Sequence, residues 1–167
     1  LNSPSSGLHT LTFRNGVSYI FDSQGSDIRT AGSTARLHNI TDAYGKELNF
    51  SYTGNQLTSI TDNLGLTGRT GLSLVYYTSG DHIGRLRYVR DWTNRTWEYL
   101  YTDGQLSGVK NPLGHAMAYT YVEGTHLLKD IIQPQDRNGK KKTMTFGYFE
   151  NGQAYNYVDQ NGSEESL

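Results

Sequence analysis

The sequence predicts an all-β protein: repeated antiparallel β-hairpins joined into one continuous curved sheet. Three observations point there. Gly, Asn, Asp and Ser make up a third of the 167 residues, Tyr supplies 13 and Ala only six, a balance that favours turns and strands over helices. A pattern anchored on Leu37, Leu57, Leu86, Leu106 and Leu127 recurs at steps near 20 residues, the length of one hairpin rather than of a helix pair. Within each copy, apolar and polar residues alternate with period two, as in a half-buried strand.

Composition also narrows the function classes. The formal net charge is -1, from 15 basic and 16 acidic residues, which lacks the basic footprint of a nucleic-acid or anionic-membrane binder. No apolar run is long enough for a transmembrane helix, and no basic stretch followed by an apolar one reads as a signal peptide. With no Cys, disulfides, thiol catalysis and Cys-type zinc sites are excluded. Apolar residues are few and aromatics reach 12%, which implies a thin, tyrosine-rich core.

Taken in order, the chain reads as one repeat domain over 1–167. A weak first unit occupies 8–36, and units follow at about 37–56, 57–85, 86–105, 106–126 and 127–152, with a tail at 153–167. The unit at Leu57 carries an insertion around Leu66 to Gly71. Each second strand ends on an aromatic residue whose face is shared by the residues two and four before it. These sets are Phe21/Tyr19/Val17, Tyr52/Phe50/Leu48, Tyr77/Val75/Ser73, Tyr101/Tyr99/Trp97, Tyr121/Tyr119/Met117 and Tyr148/Phe146/Met144. Stacked units would align Phe50, Tyr52, Tyr77, Trp97, Tyr99, Tyr101, Tyr119, Tyr121, Phe146 and Tyr148 in columns, where aromatic cross-strand pairs add about 0.2–1 kcal/mol each.

Each first strand carries Leu-x-x-Ile/Val: Leu37/Ile40, Leu57/Ile60, Leu86/Val89 and Leu106/Val109. An offset of three puts the two side chains on opposite faces of a regular strand, so either both faces are covered or a bulge lies between them. The turns are Asp42 to Gly45, Asp62 to Gly65, Asp91 to Asn94 and Asn111 to Gly114, with Asp or Asn first and Gly or Asn fourth, the preference of a type I turn. The opposite turns, Thr53-Gly54-Asn55 and Thr102-Asp103-Gly104, are tight links.

These residues resemble the RHS/YD-repeat family: bacterial Rhs polymorphic toxins, the shell subunits of insecticidal Tc toxins and the extracellular shell of teneurins. The resemblance covers Leu8 to about Gly152. It rests on Arg36-Leu37, Ile40-Thr41-Asp42, Gly45, Phe50-Ser51-Tyr52, Gly54 and Leu57, echoed from Leu86 to Leu127. Tyr-Thr stands where the family has Tyr-Asp, at Tyr52, Tyr77 and Tyr101. The resemblance implies a long sheet spiralling into a hollow shell, secreted or displayed at the cell surface, that holds a toxic domain or supports adhesion. Asn111-Pro112-Leu113-Gly114 is similar to a fragment of the family's self-cleavage sequence, but it lacks the Asp and falls where the repeat needs a turn.

No catalytic or cofactor constellation emerges, so the chain reads as non-enzymatic and without a bound cofactor. The five His residues show no metal spacing and read as surface residues. Asp42, Asp62 and Asp91 could line one rim and bind Ca²⁺, but solvated turns are the simpler reading. Lys140 to Lys142 suits a solvated hairpin tip or edge protection. Trp92 is the candidate for ligand stacking, because it lies in a turn rather than on the alternating face. The leading reading is a structural shell segment whose partner is the remainder of a larger Rhs-type protein. The alternatives are a surface adhesin or carbohydrate-binding module, and a self-assembling extracellular tube or fibre joined through sheet edges.

Overall fold

A computed structural model describes residues 7–23, 35–65 and 71–166. It contains fourteen strands and, among the described residues, no helix, so none long and apolar enough to cross a membrane. The strands are β1 (Leu8–Thr12), β2 (Ser18–Asp22), β3 (Arg36–Thr41), β4 (Glu47–Thr53), β5 (Gln56–Asp62), β6 (Leu72–Tyr76) and β7 (Leu86–Arg90). They continue as β8 (Thr96–Thr102), β9 (Gln105–Lys110), β10 (Ala116–Tyr121), β11 (Leu128–Ile132), β12 (Thr143–Tyr148), β13 (Ala154–Val158) and β14 (Glu164–Ser166). Strand order equals chain order in one open antiparallel sheet of successive hairpins. The chain divides into two compact units, one of residues 1–74 with 90–94 and one of 75–89 with 95–167.

One turn chemistry recurs. At Asp42 the backbone N–H bonds the Lys46 carbonyl, and the Gly45 N–H returns to the Asp42 carbonyl. The Asp42 carboxylate meanwhile accepts from the N–H groups of Tyr44 and Lys46 at 2.8 and 2.9 Å. Asn111 repeats the arrangement with Leu113 and His115, both at 3.0 Å. The expected turn at Asp91 forms too, with Asn94 in the fourth place at φ 62°. Asp136 to Gly139 and Asp159 to Gly162 form the same turn, the latter closing a further hairpin, β13–β14, within the tail. At the opposite end, Asp103 and Gly104 both have positive φ, 49° and 75°, the geometry of a primed hairpin turn that suits the twist of its strands.

The three-residue offset is resolved by bulges. Phe21 opposes Leu37 while Ile20 opposes Asn39, which leaves His38 as the extra residue. Thr58, Ser107, Lys129 and Tyr155 are the extra residues at the matching places in β5, β9, β11 and β13. In β3, β5, β9 and β11 the bulge returns the Leu and the following Ile or Val to one face, and in β13 it does the same for Ala154 and Tyr157. The fifth anchor shifts: Leu128, not Leu127, opposes Tyr121, and Lys129 is the bulge before Ile131.

The thin core expected from composition is absent from the described residues: no apolar side chain there is fully shielded from solvent. The reason is architectural. Within each unit a strand touches only its neighbours in the sheet, so rings are covered from the sides by same-face neighbours and by nothing above. The buried residues are polar instead: His9, Ser23, Asn39 and Asp91.

Candidate functional site

Three features result: an aromatic face, a rim built on tyrosine hydroxyls, and a cationic loop. In the first unit, aligned pairs run Leu11–Tyr19–Ile40–Leu48 and Phe50–Ile60–Leu72. In the second they run Tyr99–Val109–Met117, Tyr119–Ile131–Met144 and Phe146–Tyr157. The columns are therefore mixed, each ring facing an aliphatic side chain or another ring. A shallow cleft of about 550 Å³ lies on this face, with Trp97, Tyr99, Met117 and Tyr119 among its walls and Asn111, His115 and Gln133 toward its polar side.

The other face is polar. Asn39 donates to Asn49 at 2.8 Å. Glu98 accepts from Tyr88 and pairs with Lys110 at 3.3 Å. Asp130 accepts from the hydroxyls of Thr120 and Thr145 at 2.6 and 2.8 Å. Partial burial works against the charged form of Asp130, but the two threonine hydroxyls outweigh it and hold its pKa below the usual carboxylate value.

The hydroxyl rim explains why the second strand ends on tyrosine. Beyond Asn39 the β3–β4 ladder stops, and the hydroxyl of Tyr52 donates to the carbonyl of Leu37 at 2.9 Å. Tyr121 does the same for Leu106 at 2.9 Å and Tyr148 for Leu128 at 2.7 Å. In each case strands splay past the bulge, and the phenol reaches the anchor carbonyl that the ladder no longer serves. Phe21, without a hydroxyl, closes the first copy differently: Ser23 bonds the Gly7 carbonyl through both its N–H and its hydroxyl, each at 2.9 Å.

The unit at Leu86 departs from the rule. Tyr77 lies just past β6 and donates to the Tyr99 carbonyl at 3.1 Å, while the Tyr101 hydroxyl has no hydrogen-bond partner among the described residues. His82, expected on the surface, instead packs its ring 5.7 Å from both Tyr77 and Tyr101. The Arg85 guanidinium lies 5.3 Å from the centre of the Tyr101 ring, and that of Arg87 lies 5.2 Å from Tyr77 and 4.8 Å from Tyr88. Burial raises the Tyr101 phenol above its ordinary pKa, and Arg85 opposes this. Sequence reading missed this cluster; its signal was four arginines between Arg85 and Arg95 in a chain of net charge -1.

Trp92 occupies the turn after β7 and is 43% exposed. Asp42 and Asp91 accept from backbone N–H groups of their own turns, while after Asp62 the chain only bends, Asp62 accepting from the Leu64 N–H at 3.2 Å without the closing bond from Gly65. Among the described residues no three His, Asp or Glu side chains gather as a metal site. No protein-family model matches the chain, and no curated protein matches it.

Proposed function

We propose that the chain is a structural segment of a larger RHS/YD-type β-shell, secreted or displayed at a cell surface, that encloses or presents another domain. The work is steric: a wall whose aromatic face is covered by what it holds. The observation that supports this reading is a hairpin repeated with its bulge and hydroxyl, whose apolar face stays half-exposed in each unit. Contiguous exposed apolar surface marks a site meant to be covered, and repeat architectures complete their burial through neighbouring units.

The test compares this segment alone with the whole natural protein that contains it, using a dye that fluoresces on exposed apolar surface. The segment should bind dye strongly, and the whole protein should bind little. Equal dye binding per segment, or natural flanking sequence without further Leu-x-x-Ile units, refutes the reading. Joining of identical copies through sheet edges is a second reading with its own support, since β1 at one end of the strand order carries neither a formal charge nor Pro. Electron microscopy of the purified chain decides it: tubes or fibres support it, and monomers exclude it.

A further inference from the structure

We infer that the loop between β6 and β7 forms, with Tyr101, a binding site for an acidic polysaccharide, its sulfate or carboxylate groups held by Arg85 and Arg87. This site is independent of whether the sheet encloses a cargo.

The platform is built before any ligand arrives. Tyr77 is fixed at both ends: its hydroxyl bonds the Tyr99 carbonyl, its N–H bonds the Arg85 carbonyl at 2.9 Å, and its own carbonyl accepts from Gly84 at 2.8 Å. The Tyr77, His82 and Tyr101 rings stand within 6.1 Å of one another, centre to centre. Arg85 and Arg87 rest on these rings, which gives each guanidinium a defined place without consuming its N–H donors. Neither guanidinium has a hydrogen-bond or ion-pair partner among the described residues. Both arginines are exposed, as are Thr78, Ser79 and Thr102 around them, which supply hydroxyls suited to a sugar. The acids closest in sequence to the two arginines and to Tyr101 are Asp81 and Asp103, in exposed turns, Asp91, which accepts from Thr93, and Glu98, which accepts from Tyr88 and pairs with Lys110.

The arrangement favours a polysaccharide over a nucleic acid. Single strands bind by stacking bases on free aromatic faces along a basic groove. Here guanidiniums already lie over Tyr77, Tyr88 and Tyr101, so those ring faces are taken and not free for bases. Planar forks with outward N–H edges match sulfate and carboxylate oxygens two at a time.

The experiment titrates the chain with heparin, polygalacturonate, neutral dextran and a 20-nucleotide single-stranded DNA at fixed ionic strength. Heparin or polygalacturonate should bind and dextran should not; which of the two acids binds tighter separates sulfate from uronate recognition. The double variant R85A/R87A should weaken binding by about tenfold or more, from the loss of charge-assisted hydrogen bonds, with circular dichroism confirming the fold. R85K/R87K keeps the charge but loses the fork, and should fall between. K140A/K141A/K142A, which removes an exposed charge run elsewhere, should change little. Absence of acidic-glycan binding, an equal loss in the triple lysine variant, unchanged binding in R85A/R87A, or tighter binding of DNA than of heparin each overturns the proposal.

Discussion

Replacing Tyr121 by Phe removes one oxygen atom and, on the geometry of the hydroxyl rim, one hydrogen bond that the repeat depends on. The bond to the Leu106 carbonyl is 2.9 Å long and joins two part-buried groups where the ladder has ended. A bond of this kind contributes about 0.5–1.5 kcal/mol, and the stranded carbonyl adds to the loss where water reaches it poorly. The triple variant with Phe at 52, 121 and 148 should therefore lose about 3 kcal/mol, a large part of a typical folding free energy. At a urea slope near 2 kcal/mol/M, the midpoint should fall by about 1.5 M. Two controls isolate the hydroxyl bond from the chemistry of the substitution. Tyr44→Phe alters a turn residue that is 89% exposed, and Tyr101→Phe alters a ring in the same repeat position whose hydroxyl has no partner among the described residues. Both should shift the midpoint by less than about 0.2 M, within the scatter of surface substitutions. Urea unfolding followed by far-ultraviolet circular dichroism reads all of them. If Tyr101→Phe costs as much as Tyr121→Phe, the bond to the anchor carbonyl is not what the tyrosine is for.

Three further outcomes follow from the same geometry. Asp130 has its folded pKa depressed by Thr120 and Thr145, so its contribution is present above the ordinary carboxylate range and is lost as pH falls through the folded value; the stability gap between the native chain and Asp130→Asn should narrow as pH falls from neutral through and below the ordinary carboxylate range, and a gap that widens on acidification would contradict this. Gly71→Ala should cost more than about 2 kcal/mol, because φ is +84° and the new Cβ would lie 2.0 Å from the Ile60 carbonyl oxygen. Gly147→Ala should cost less, because its nearest obstacles are the movable ends of Asn156 and Tyr155; thermal melts that reverse this order refute the argument. Asp136→Ala removes acceptors for the N–H groups of Asn138 and Lys140 and should lose about 1 kcal/mol, while Asp136→Asn should retain most of it, as Asn111 does naturally; equal losses in urea unfolding would show that the carboxylate charge matters more than the oxygen.

What could be read in advance follows from how local each cause is. The Asp–Gly turns are written in four consecutive residues, so Asp42 and Asn111 announced themselves. The bulge was legible only as an inconsistency: Leu37 and Ile40 cannot share a face of a regular strand, and His38 as an extra residue removes the contradiction. At Leu127-Leu128 two leucines compete for one place, and only pairing with Tyr121 selects Leu128. The hydroxyl bonds were out of reach, because Tyr52 meets Leu37 fifteen residues away and the partner is a carbonyl that every residue possesses. The same holds for Arg85, whose place over Tyr101 depends on how the loop from Tyr77 closes. That closure bears on function. Tyr52, Tyr121 and Tyr148 spend their hydroxyls on anchor carbonyls of the repeat, whereas beside this loop Arg85 and Arg87 lie over rings with no acceptor for their guanidiniums among the described residues. Stacking on the Tyr77 and Tyr101 rings fixes where two neighbouring forks stand while leaving their N–H donors to an acidic ligand.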